Sequence, residues 1–289
     1  MSYLSVDNNE VVEELLRVLV EKLEKKEFDL PPLPMVASQV LALTADPEAD
    51  SLKLATLIQQ DPILTAKVFQ TSNSVAHGSH RRIDSIQQAI TWLGLNTVAG
   101  RAFTLSVLSG VFNVRGYERE VKELWMHMLT TAFYAKTIAG LIGKNPDTAF
   151  LGGLLHAIGK PFVIHTVTNY QKDSTSPLPW TTLSTLIKES YVEAGRQLAE
   201  AWDFPDSAKE AINLHEDHAY LLGTSPTKCA PITYLARQVA SHFLDPGSIS
   251  EETIWALPVV RTLKIQEDVM KALLEIHSEI QVQVEAMLI

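Results

Sequence analysis

The amino-acid sequence predicts an all-α protein, a multi-helix bundle, on three observations. Apolar residues recur at spacings of three and four through most of the chain, and no segment alternates apolar and polar residues as a half-buried strand would. Glycine is sparse, 13 in 289 residues, and falls at the ends of the periodic segments. A chain of this length can bury a substantial core, enough for one large domain or two of ordinary size.

Taken in order, the first helix is read from Val12, Leu15, Leu16, Leu19 and Leu23, which share one face. It runs out near Phe28, before "LPPLP" at 30–34, where proline removes the N–H that a helix needs. Pro34 suits the first turn of a helix over about 34–44. Asp50 or Ser51 caps the next, and Asp61 followed by Pro62 opens another. In "IDSIQQAITWLGLNTVAGRAFTLSVLSG", Asp84 is the expected N-cap, Gly94 the stop and Asn96 the restart.

Around "FNVRGYERE" the composition turns polar, which sets a boundary. Residues 1–29 then form an N-terminal amphipathic helix, 30–115 a subdomain of short helices, and 116–289 a second helical subdomain. In the latter a long helix is expected over about 118–142, another from Asn145-Pro146 to Gly159, and a short one to about 169. After the polar "QKDSTSPLPW", helices are expected over about 181–190, 191–202, 206–215, 228–243 and from 266 to the C-terminus. Met270, Leu273, Leu274, His277, Ile280, Val284, Met287 and Leu288 make a stripe on the last segment. It is read as core packing; a docking face would be a larger apolar patch than monomers normally expose.

Thirty-four acidic residues against 24 basic ones give a net charge of −10, which opposes general attraction to a polyanionic backbone, so nucleic acid is not the expected partner. The densest basic cluster, "HGSHRR" at 77–82, reads as a solvated loop. No run approaches eighteen uninterrupted apolar residues, so no membrane span is expected. The opening "MSYLSVDNNEVVEELL" lacks the regions of a secretory signal, and the single Cys229 excludes an intrachain disulfide; both point to the cytoplasm.

Three of the nine histidines sit where chemistry is expected: His127 in "LWMHMLTTAFYAKTIA", His156 in "FLGGLLHAIGK" and His215 in "AINLHEDH". Each alone would be a satisfied core residue. The polar run Glu216, Asp217, His218 reads as solvated and capping, and Cys229 has no neighbouring base in sequence to make it a nucleophile.

The segment from His127 through "FLGGLLHAIGK" resembles the HD superfamily of metal-dependent phosphohydrolases, whose pattern is a histidine, a His-Asp pair and a distant aspartate. The N-terminal part, above all "DPILTAKVFQTSNS" and "IDSIQQAITWLG", is similar to the HDOD family, HD-related output domains of bacterial signalling, over roughly residues 30–245. The resemblance makes the second subdomain HD-like. It matches His127 to the first histidine and His156 to the second, while Ala157 stands in place of the paired aspartate and Arg237, in "PITYLARQVASHF", in place of the distant one.

Magnesium and manganese want oxygen ligands, which the loss of both carboxylates removes, and a guanidinium would repel any cation nearby. No metal or other cofactor is therefore expected; a zinc ion would have to use His127, His156 and His215. The resemblance implies a non-catalytic regulatory module of bacterial signal transduction, acting through signalling proteins, with homo-oligomer formation left open. Two alternatives stay open: an HD-type phosphohydrolase with a remodelled site, and a phosphate or nucleotide sensor in which Arg237 and Lys160 bind without turnover.

Overall fold

The computed structural model describes residues 33–45, 50–76, 83–110, 114, 116–170, 178–223 and 227–288, with Arg17 and Glu21 besides. The expected first helix, "HGSHRR" and most of the "QKDSTSPLPW" stretch lie outside the described residues. Among the described residues every regular element is a helix.

The N-terminal helices are punctuated by short side-chain caps. α1 (Met35–Ala45) is followed by α2 (Ser51–Gln59), whose N-cap is Asp50: its Oδ1 accepts from the Lys53 amide at 2.7 Å. Asp61 does the same for α3 (Pro62–Ala76), accepting from the Leu64 amide at 3.0 Å. The cap of α4 (Ile86–Leu93) is Ser85, not Asp84. Ser85 Oγ accepts from the Gln88 amide while Gln88 Oε1 accepts from the Asp84 amide, so Ser85 and Gln88 cap the helix in reciprocal fashion and Asp84 lies outside it. Gly94, at φ 88°, breaks the chain before α5 (Leu95–Gly110), a turn that a side chain would strain.

The second half is organised by α6 (Glu118–Leu141), which packs most extensively on α7 (Pro146–Leu155). Phe133 and Phe150 meet edge to face at 5.2 Å across that pair. At Gly153 a Cβ would lie 2.7 Å from the Ala132 Cα, so the absence of a side chain is what lets the two backbones approach. Asn145 caps α7, accepting at 3.0 Å from the amides of both Asp147 and Thr148. Asn145→Ala is expected to cost about 1 kcal/mol in urea unfolding.

α7 stops at Leu155 instead of running to Gly159; a turn carries His156, and α8 (Gly159–Tyr170) begins at the glycine. Where two helices were expected, α9 (Trp180–Ala201) is continuous, because Ser190 and Tyr191 supply no break and the Ser190 hydroxyl bonds back to the Leu186 carbonyl. α10 (Asp206–Leu214), α11 (His218–Leu222) and α12 (Cys229–Leu244) follow. Two short helices come next, α13 (Glu251–Ala256), capped by Ser250, and α14 (Pro258–Thr262), with proline in its first turn. The expected C-terminal helix is two, α15 (Glu267–Glu275) and α16 (His277–Leu288).

The apolar stripe there packs inward at Met270, Leu273, Ile280 and Val284, all buried, with Leu274 partly buried against the core. His277 stacks on Phe243 at 3.9 Å, and the side chains of Met287 and Leu288 lie outside the description. The stretch 146–170, which spans α7 and α8, is long and apolar enough to cross a bilayer by length and composition. Its most apolar window is 83% buried inside the protein, as befits core helices.

Candidate functional site

The three histidines predicted from the sequence converge. α6 supplies His127, the end of α7 His156, and the end of α10 His215. The His127 and His156 rings lie 6.2 Å apart, and His156 meets His215 edge to face at 5.0 Å. His156 and His215 are buried at 1% exposure each.

Each ring is anchored. His156 Nδ1 donates to the Gly153 carbonyl at 2.7 Å, and His215 Nδ1 to the Ala211 carbonyl at 2.7 Å, so in both the neutral ring turns Nε2 inward with its lone pair. The Tyr191 hydroxyl on α9 reaches His215 Nε2 at 3.1 Å, and Ser241 on α12 hydrogen-bonds His127 Nε2 at 3.1 Å. His156 Nε2 has no hydrogen-bond partner.

Two cations face this group. Arg237, one turn before Ser241 on α12, pairs through Nη1 with Glu216 Oε1 at 3.1 Å, and Lys160 in the first turn of α8 lies 4.9 Å over the Tyr191 ring. Burial, helped by the charges of Lys160 and Arg237, lowers the His127 pKa to about 3. Burial and then Arg237 lower His215 to about 4, and burial with the neighbouring histidines holds His156 well below its ordinary value. Burial and Arg237 bring Lys160 down to about 8. Burial would raise the Glu216 carboxyl, but the Tyr191 hydroxyl and the Arg237 and Lys160 charges outweigh it and keep it ionised.

His127, His156, Lys160, His215 and Arg237 thus come together, with Ala157 buried beside His156. Glu216 is exposed, as a solvated run implies, and it also serves as the counter-ion of Arg237. Asp217 does cap α11, accepting from the Tyr220 amide at 3.0 Å, and the His218 ring packs on Tyr234. Cys229 is buried and its thiol pushed up to about 12, the opposite of what a nucleophile needs. Sequence reasoning missed Tyr191 and Ser241. Ser241 is signalled by its i+4 spacing from Arg237; Tyr191 has no local signal, because the tertiary fold alone brings α9 to His215.

The donor set does not fit a hard divalent cation. Three neutral imidazoles supply no oxygen and no charge, two of their inward nitrogens are taken by hydroxyls, and the Glu216 carboxylate is held by a guanidinium.

A family model described as HDOD domain matches residues 30–218. Among solved structures, one from Shewanella amazonensis SB2B, provisionally named a metal-dependent phosphohydrolase, superposes with a TM-score of 0.72 at 22% identity, covering 94% of this chain and 99% of that one. An HDOD domain protein of unknown function from Geobacter sulfurreducens gives 0.69 at 24%, covering 96% and 99%. A protein from Marinobacter aquaeolei VT8, provisionally named for signal transduction, gives 0.69 at 20%, covering 99% of this chain and 67% of that one. At these identities the likeness shows a shared fold. No curated protein matches.

Proposed function

The chain belongs to the HDOD domain family, and from that premise we propose that it is a non-catalytic regulatory module on an HD-type scaffold, acting in bacterial signal transduction through protein partners. One observation carries the reading: the Arg237–Glu216 ion pair stands among three neutral histidines, where a hydrolase of this fold needs carboxylates and a metal. A guanidinium in that place supplies positive charge to the site without a metal ion. The signalling name given to the Marinobacter relative agrees with this reading.

The reading is tested with phosphomonoesters and cyclic nucleotides in added magnesium, manganese or zinc. Turnover no higher than that of His156→Ala is expected. Metal-dependent turnover that His156→Ala abolishes would establish the phosphohydrolase alternative. A second reading, anion binding without turnover at Lys160 and Arg237, is favoured by one atom: Arg237 Nε is buried and has no hydrogen-bond partner. Arg237→Met would abolish such binding.

A further inference from the structure

A further cation, fully buried, lies outside the histidine site. Arg101, in the middle of α5, is 0% exposed, and its Nε, Nη1 and Nη2 all lack a hydrogen-bond partner. Nearly one turn on, Thr104 is equally buried with its hydroxyl unpartnered, and so is Ser72 on α3, a helix that packs against α5. By their spacing Thr97, Arg101 and Thr104 share one face of α5. Lys136 on α6 reaches the same face, its Nζ donating to Thr97 Oγ1 at 2.6 Å and to the Leu93 carbonyl at 3.2 Å.

The electrostatics leave Arg101 uncompensated. Burial lowers its pKa to about 10, with no carboxylate among the described residues acting against it, so it stays a cation at neutral pH. At Lys136 burial and the Arg101 charge lower the ammonium pKa, while Asp147 raises it. Arg101, Lys136 and Asp147 together therefore carry one unbalanced positive charge. Lys136 also lines an open cleft of about 600 Å³ with Trp92, Phe133, Ile276 and Ile280. α16, which contributes Ile280, packs on both α3 and α6.

A guanidinium carries five N–H donors in a rigid planar fork, and burying them without acceptors is among the costlier arrangements a core can hold. The same fork matches the paired oxygens of a phosphate or carboxylate. We propose that the buried face of α5 that carries Arg101 and Thr104, where it packs against α3, binds the oxyanion group of a small ligand, phosphate or carboxylate. Arg101 is the forked donor, the Thr104 hydroxyl adds to it, and the cleft beside Lys136 is the way in. The site owes nothing to the histidine cluster, since the charges acting on His127, His156 and His215 are those of Lys160, Arg237, Glu216 and one another.

The test is thermal unfolding of the full chain in inorganic phosphate and, separately, in acetate, each compared with chloride at matched ionic strength. One of the two ions is expected to raise the wild-type Tm by about 3 °C or more, with saturation, and the ion that does so identifies the group recognised. Arg101→Met, which keeps the apolar stem, should lose most of that rise, and Arg261→Met, at an exposed arginine of α14, should keep it. Arg101→Lys keeps the charge without the fork and should fall between; it replaces Arg101→Met if the methionine variant does not fold. The proposal is overturned if neither ion raises the wild-type Tm, if Arg101→Met responds like wild type, or if Arg237→Met alone loses the response.

Discussion

Gly159→Ala is expected to destabilise the protein by about 3 kcal/mol or more in urea unfolding. A Cβ at Gly159 would stand 1.9 Å from the Tyr191 carbonyl oxygen and 2.6 Å from the Gly195 amide nitrogen. Both obstacles are backbone, so no rotamer change relieves the clash and α8 must part from α9. The cost reaches the candidate site, because Tyr191 is both the residue struck and the one whose hydroxyl holds His215. Gly140→Ala offers the opposite sign. Gly140 is exposed near the end of α6 with only Pro146 Cγ near the added methyl, at 3.8 Å, and alanine there should stabilise by roughly 0.5–1 kcal/mol through helix propensity. A loss below 1 kcal/mol at Gly159 would mean that the close approach of α8 and α9 is not real.

That contrast explains what "LLHAIGK" encodes. In sequence the string resembles a hydrolytic motif with alanine in place of aspartate, and attention falls on His156 and Ala157. The structure gives Gly159 an equal share, as the contact that fixes the distance between the helices bearing Lys160 and Tyr191. The convergence of His127, His156, His215 and Arg237 was legible, since family resemblance placed three of the four and helical spacing supplied their settings. The Arg237–Glu216 pair and the Tyr191 contact were not, because each joins helices far apart in the chain. Helix ends were legible where one side chain decides them, as at Asp50, Asp61 and Asn145. They were misread where two residues cooperate, as Ser85 and Gln88 do, or where a break falls at an unremarkable residue such as Ile276.

Acid should unfold this protein earlier than carboxylate chemistry alone would allow. The histidines have folded-state pKa values of about 3 for His127, about 4 for His215, and well below the ordinary value for His156. In the unfolded chain each titrates near 6.5. Above pH 6.5 neither state is protonated at these rings, and the stability they contribute is fully present. As pH falls below 6.5 the unfolded chain takes up protons that the folded protein refuses, so stability drops by about 1.4 kcal/mol per pH unit for each histidine, down to its folded value. Three together approach roughly 4 kcal/mol per unit as an upper limit, against a total stability of about 5–15 kcal/mol for an ordinary protein. Lys160 does not blunt the effect, because at pKa about 8 it is already protonated in both states throughout this window. Glu216, held below its ordinary value, begins to matter only below the unfolded carboxylate range, near pH 4.5. Urea unfolding at pH 7.5, 6.5 and 5.5 should therefore show the loss concentrated in the last interval. His156→Gln should remove about a third of that slope, since it deletes one of three protons; an unchanged slope would mean the ring is open to protonation in the folded state. The same burial that makes the protein acid-sensitive is what keeps these imidazoles neutral at pH 7, so the charge in the cluster rests on Lys160 and on the Arg237–Glu216 pair.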